Sequence, residues 1–434
     1  MAPPSEMQIG VTFWGGQING VAANALMAEG QMLAKKLGVH AIALTMSTMS
    51  DQQYFKGNCI ANFTLASLAE RPDFKAILAD PQFTTIEIFA FDGVSQPDCG
   101  TKSYITSSFF TPENTARIAQ EFTDFANLLK QYSNKTFILQ NWETDNDLYC
   151  GASFLATPGS CPNINDKIAA YIAWMNAKIA GVHAANAPNV KVALEFNDVR
   201  VLGSKGMYDA LDAIAPHISP DYFSYSAYES TAISPEQFAI DIDAIRAKLQ
   251  SYGKDPNSLM IGEIGSSKWA FGTDGATARL LSVLAVARQK KIPYAFVWDL
   301  IDQPELSNPS DLSDWGAYDV NGNVTNYGRA LNPSQYVVLT GLQGFDPISN
   351  AYWTGWGYDN LQLVLYGAFA DNSNTVYINN IPFTPTYQSA NQINVQLDAS
   401  KVAGTPGGVD VVVSVSNSLL GTSSSPLTFK LLHW

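Results

Sequence analysis

Two glutamates stand where they can do chemistry together. The segments FILQNWETDND and LMIGEIGSS carry Glu143 and Glu263, and each is a β-type apolar run that ends on its glutamate. Strands of a parallel barrel deliver their C-terminal residues into a shared mouth. Two carboxyl groups brought there form a pair in which one donates a proton and the other attacks an acetal carbon, the chemistry that breaks a glycosidic bond with retention. A lone glutamate in a loop is ordinarily a solvated charge. Two at matching strand ends, each beside aromatic or glycine residues, ask for a common purpose.

The elements that must position them follow from hydrophobic period. Strand-like runs fall at 7–14, 40–47, 85–92, 135–143, 190–198, 222–230, 259–267 and 292–300. Between them lie stretches such as TARIAQEFTDFANLLKQY and PEQFAIDIDAIRAKLQ, whose apolar residues recur at the spacing of a helix packed on a sheet. Eight strands alternating with helices predict an α/β fold, a (β/α)8 TIM barrel, over residues 1–333. An open doubly wound sheet would carry a Gly-rich nucleotide loop, and neither GxGxxG nor GxxxxGK[ST] occurs. Beyond LNPSQYVVL the helical period stops. Short alternating runs broken by Asn, Gly, Ser and Pro predict an immunoglobulin-like β-sandwich over 334–434.

Composition narrows the partners. A 434-residue chain of 46% apolar and 12% aromatic residues can build a large core and still offer flat rings to a sugar. A net charge of −14 excludes nucleic acid and anionic membrane as natural partners, because both need clustered cations. No apolar run reaches the length of a membrane span. Four cysteines, Cys59, Cys99, Cys150 and Cys161, fall in loops after the second, third and fourth strands, and read as two disulfides, Cys59–Cys99 and Cys150–Cys161. The start MAPPSEM has no signal-peptide pattern, which leaves a cytoplasmic chain or one whose signal peptide was removed; the four cysteines favour the second, a mature secreted or periplasmic chain. Four scattered histidines and no CxxC argue for no metal, and no cofactor is called for.

Counting strands, Glu143 ends the fourth and Glu263 the seventh. This arrangement resembles the clan A glycoside hydrolases, barrels with an acid/base Glu after strand four and a nucleophile Glu after strand seven. The resemblance implies that Glu143 is the acid/base, Glu263 the nucleophile and a carbohydrate the substrate. It also implies supporting residues for sugar binding. In that clan an Asn immediately precedes the acid/base; here the order is Asn141-Trp142-Glu143, with Trp interposed. Asn197 on strand five is placed to supply an amide. Tyr228 or Tyr225 on strand six resembles the tyrosine that bonds the nucleophile. Trp298, in YAFVWDL, resembles the aromatic floor under the sugar, and Trp14 and Asp92 join the same face. The run ALTMSTMS on strand two lacks the arginine many of these enzymes carry. Glu87 and Glu195, mid-strand, are expected to belong to a buried polar network, since buried carboxyls need partners.

The stretches LYGAFADNSNTVYINN and VVVSVSNSLLGTSSSPLTF resemble immunoglobulin-like IPT/TIG modules, with a Gly-x-Phe after an early strand and a Ser-rich turn before the last. The combined expectation is a secreted retaining glycoside hydrolase acting on β-linked oligo- or polysaccharide, followed by a non-catalytic sandwich. Its rivals are a carbohydrate-binding protein on a retired barrel, and a transglycosylase using the same two residues.

Overall fold

The computed structural model describes residue 4 and residues 6–303, 314–331, 338–342, 345–346, 351–354, 360–369, 373–388, 392–398, 409–417, 422–424 and 427–433. Two compact units emerge: Met1–Ser266 with Val283–Asn323, and Ser267–Ser282 with Val324–Trp434. The junction expected at residues 333 and 334 lies outside the described residues, as does part of the Ser-rich turn.

In the first unit eight parallel strands close into a barrel in sequence order. They are β1 (Gln8–Thr12), β2 (Ala41–Met46), β3 (Thr85–Ala90), β4 (Thr136–Gln140), β5 (Val190–Phe196), β6 (Tyr222–Ser226), β7 (Leu259–Ile264) and β8 (Tyr294–Val297). Closure comes from β1 pairing with β8, Gln8 opposite Tyr294. All eight expected strands are present, which bears out the (β/α)8 reading. Each ends sooner than the apolar run that announced it. Glu143 lies three residues beyond β4 rather than on it, because residues at the mouth leave the ladder to turn inward.

The surrounding helices include α1 (Leu26–Leu37), α2 (Pro72–Ala79), α3 (Pro112–Lys130), α4 (Ile164–Ala184) and α5 (Pro235–Ser251). Helices α3 and α5 start alike. Thr111 and Ser234 accept the backbone N–H three residues on, and a proline occupies the first turn, where its missing N–H costs nothing. Behind the wall, Lys178 of α4 is fully buried and donates to the carbonyls of Ala90 (3.1 Å) and Gln140 (2.8 Å), the last residues of β3 and β4. Burial lowers its pKa to about 7, with the charge of Asp92 acting the other way. No helix among the described residues is long and apolar enough to cross a membrane.

The second unit contains two sheets, largely antiparallel. One runs Phe345–Asp346, Ala351–Thr354, Leu427–His433, Val409–Asn417, Asn374–Ile378, Ile381–Phe383, with Thr422–Ser423 beside Val409–Asn417. The other runs Tyr387–Gln388, Gln392–Asp398, Asn360–Ala368, Val338–Leu342. Alternate residues Val376, Ile378, Val413, Val415, Ile393 and Val395 are buried, the period expected of sandwich strands.

Helices α3 and α4 meet at Gly181, where an added Cβ would lie 2.9 Å from that of Phe122 and still nearer the Ala119 carbonyl. Gly181→Ala must therefore separate the two helices, at a cost of about 1–3 kcal/mol. Thermal melts should place the variant several degrees below wild type; an unchanged midpoint would contradict this packing.

Candidate active site

Glu143 sits in a turn between β4 and the short helix Thr144–Leu148, at φ 20° and ψ 75°. Positive φ is uncommon for a residue with a Cβ, so the surroundings must hold it. Its backbone N–H donates to Glu195 Oε2 at 2.8 Å. Its side chain is 8% exposed, with Oε1 accepting from Ser226 Oγ at 2.6 Å and Oε2 accepting from Asn146 Nδ2. Burial raises the carboxyl from its ordinary 4.5 to about 7; the Ser226 and Asn146 bonds pull it down, and the charges of Asp198 and Asp147 push it up. Asn146 is itself anchored, since its Oδ1 accepts from Ser153 N (3.0 Å) and Oγ (2.7 Å).

Glu263 projects from β7, where it stands opposite Ser226 of β6 in the strand register. It is 2% exposed. Its Oε2 accepts from the Tyr228 hydroxyl at 3.1 Å, and its Oε1 has no hydrogen-bond partner among the described residues. Burial, then the charges of Glu195 and Glu143, push this carboxyl well above the usual range, and only the Tyr228 bond opposes them among its main influences. The three residues Ser226 to Tyr228 therefore serve both carboxyls: one hydroxyl bonds Glu143, the other Glu263. Two acids this strongly interacting titrate as a pair.

Aromatic rings cluster beyond the ends of β1, β4 and β8. Trp14 lies 5.5 Å from Trp298 and 6.5 Å from Trp142, ring centre to ring centre, and all three are partly exposed. Trp315 packs edge-on against Tyr228 at 5.3 Å. A cleft of about 520 Å³ extends from Trp14 and Trp142 past Gln53, Gln96, Lys102 and Gln303. Indole faces and amide side chains suit a sugar, which offers C–H faces and hydroxyl edges. Disulfides Cys59–Cys99 and Cys150–Cys161 close the loops around this side, pairing as expected.

Four expected residues go elsewhere. Asp92 is buried in its own turn, accepting from Ser95 N (2.7 Å), Ser95 Oγ (2.6 Å) and Trp174 Nε1 (2.8 Å). Asn141 is buried in the wall, its Oδ1 accepting from Glu195 N and its Nδ2 donating to Glu195 O, both at 3.0 Å. Tyr225 faces outward, stacked on Phe196, with its hydroxyl donating to Glu229. Asn197 stands behind the acid, its Nδ2 donating to Ser153 Oγ (3.2 Å) and Asp198 Oδ2 (3.3 Å). Trp14, Trp142 and Trp298 cluster with one another, and Tyr228 bonds Glu263. Sequence reasoning missed Ser226, Asn146 and Trp315; alternation along FSYSAY, which sets Ser224 and Ser226 on the face opposite Tyr225, was the available signal for the first. Among the described residues no group of three or more His, Cys, Asp or Glu is arranged to hold a metal.

The family model described as IPT/TIG domain matches residues 346–431. No curated protein matches the chain. Solved structures share its fold at low identity. A Bacteroides uniformis beta-glucuronidase 2 has a TM-score of 0.54 at 11% identity over 99% of this chain and 46% of its own, so the chain spans under half of that protein. A GH5_18 variant from Streptomyces cattleya in complex with Manb1-4GlcNAc has a TM-score of 0.50 at 14% identity, covering 75% of this chain and 79% of its own. An exo-beta-1,4-mannosidase from an Opitutaceae bacterium has a TM-score of 0.50 at 15% identity, covering 76% and 61%. These likenesses establish the barrel as one that glycoside hydrolases use.

The raised carboxyl has a thermodynamic signature. A group whose folded pKa exceeds its unfolded value binds more protons folded than unfolded between the two, so stability falls as pH rises through that window. For Glu143 the window runs from 4.5 to about 7. Glu143→Gln removes this loss, so its melting temperature relative to wild type should be higher at about pH 8 than at about pH 5. The opposite trend would show that the carboxyl is held ionised.

Proposed function

We propose that the chain is a retaining glycoside hydrolase acting on β-linked oligo- or polysaccharide, with Glu143 as acid/base and Glu263 as nucleophile. The observation that carries this reading is the segment Ser226–Tyr228, whose two hydroxyls bond one carboxyl each and so hold both at one mouth. In the first step Glu263 Oε1, the oxygen without a hydrogen bond, attacks the anomeric carbon. The glycosidic C–O bond breaks as Glu143 gives its proton to the leaving oxygen, and a glycosyl ester forms on Glu263. A water then attacks the same carbon, its proton passes to Glu143, and the Glu263 carboxylate departs. Two inversions restore the starting configuration.

The surroundings of Glu143 suit its part, and at Glu263 one donor opposes burial and neighbouring charge. Burial keeps Glu143 protonated up to about pH 7, as a general acid requires. The Tyr228 hydroxyl steadies negative charge on Glu263. Trp14, Trp142 and Trp298 offer faces for the sugar, and the cleft beyond them accommodates further units. The β-linkage follows from the clan resemblance and agrees with the β-glucuronidase and β-1,4-mannosidase names of proteins sharing the fold. Two disulfides fit an extracellular or periplasmic setting. Residues 334–434 are proposed as a non-catalytic immunoglobulin-like module.

Aryl β-glycosides and polysaccharides supplied to wild type, Glu143→Gln and Glu263→Gln test the reading. Glu143→Gln should lose about 10²–10⁴-fold in turnover of poor leaving groups, and Glu263→Gln should lose turnover altogether. NMR of the first-formed product should show the anomer of the substrate. Inverted product, or turnover surviving both substitutions, rules the assignment out.

A further inference from the structure

Beneath the reactive pair the barrel contains two more carboxyls, Glu87 of β3 and Glu195 of β5, both fully buried. The first finds no hydrogen-bond donor for either oxygen among the described residues. The second is engaged at both. Its Oε2 accepts from the Glu143 N–H at 2.8 Å and its Oε1 from Gln140 Nε2 at 3.2 Å. Its own backbone is clamped by Asn141, which bonds both its N–H and its carbonyl. A buried acid placed so costs stability, and a core position on β5 would ordinarily hold an aliphatic residue.

The wall opposite makes room for it. A Cβ at Gly262 of β7 would fall 2.5 Å from Glu195 Oε1 and collide with Ser224 Oγ. Gly262 has no positive φ to explain a glycine there. Space for the Glu195 head is what its missing side chain supplies. The carboxyl thus spans from β5 to the amide of a residue whose φ of 20° the chain would not keep unaided.

We propose that Glu195 is a positioning residue for the acid/base group: bonded to the Glu143 amide from inside the wall, it fixes the turn that aims the Glu143 side chain at the leaving oxygen. The catalytic half of this inference rests on the function proposed above; the backbone hold does not. Burial, then the charges of Glu143 and Glu87, push the Glu195 carboxyl well above the usual range. An amide can therefore replace it. Glu195→Gln retains an acceptor for the Glu143 N–H, and Gln140, whose Oε1 has no hydrogen-bond partner among the described residues, can turn to accept from the new amide. Glu195→Met keeps the volume and loses the acceptor. Gly262→Ala leaves Glu195 in the chain and pushes its head aside.

Amide hydrogen exchange at Glu143 reads the hold without reference to activity. It should be unchanged in Glu195→Gln and about tenfold or more faster in Glu195→Met and Gly262→Ala. The catalytic consequence is read by leaving group. An activated nitrophenyl glycoside departs with little acid help, whereas a phenyl glycoside needs the proton. In Glu195→Met and Gly262→Ala, kcat/KM on the phenyl substrate should fall about 100-fold while the nitrophenyl substrate changes by about threefold or less. Glu195→Gln should track wild type on both. Unchanged exchange in Glu195→Met overturns the proposal, as does a Glu195→Gln variant as impaired as Glu195→Met. Faster exchange with both substrates falling equally overturns the aiming role and leaves a structural one. Glu143→Gln is the control: if it lacks leaving-group dependence, the error lies in the role given to Glu143.

Discussion

Everything at the mouth depends on one electrostatic constraint: acids are buried together, and their hydrogen bonds come from neutral donors. Glu87, Glu195, Glu143 and Glu263 are all buried; the charges of one another act on Glu87, Glu195 and Glu263, and those of Asp198 and Asp147 on Glu143. The buried cation Lys178 spends donors on two strand-end carbonyls behind the wall. Such a cluster cannot be fully ionised. Protons and neutral donors must hold it: the hydroxyls of Ser226 and Tyr228, the amides of Asn146 and Gln140, and one backbone N–H. A site built that way has its acids raised before any substrate arrives.

The same constraint shapes the wall. Between β4 and β5 the strand register runs only over Phe137–Leu139 against Val190–Val192. Above it the backbone of β4 turns away, and the Asn141 side chain takes its place, bonding Glu195 N–H and carbonyl as a peptide group would. One side-chain amide closes the ladder, frees the chain to turn, and so brings Glu143 over the mouth. The clan pattern sets an Asn next to the acid for the sugar; here Trp142 occupies that place and the Asn one residue earlier serves the wall instead.

Much of this was legible in the chain. A period of two inside strands and of three to four between them survives any loop variation, so eight strands and their helices could be read directly. Strand ends were overread because residues approaching the mouth stay aromatic or apolar: NWE looks like strand and is turn. Tyr225 and Tyr228 could not be ranked by type, since both are tyrosines near one strand end; only the face opposite Ser224 and Ser226 tells that Tyr225 points out. Asp92 looked functional because it ends a strand, yet a short acid at a turn bonds its own backbone readily. Asn146 carries no signature at all, and Ser226 only the alternation that sets it opposite Tyr225. A hydroxyl or amide becomes functional only through what it faces, and that is decided by pairing between strands distant in sequence.

The two disulfides have a consequence for how the rim responds to a guest. Both fasten loops that follow β2, β3 and β4, and no cysteine follows β5 through β8. The cleft lies on the fastened side, with Cys99 in its lining. One rim is thus constrained covalently. Tyr228 and Trp315 follow β6 and β8, which no disulfide fastens, so under the proposed function a glycan would meet one rim tied by covalent links and another held by packing and hydrogen bonds alone.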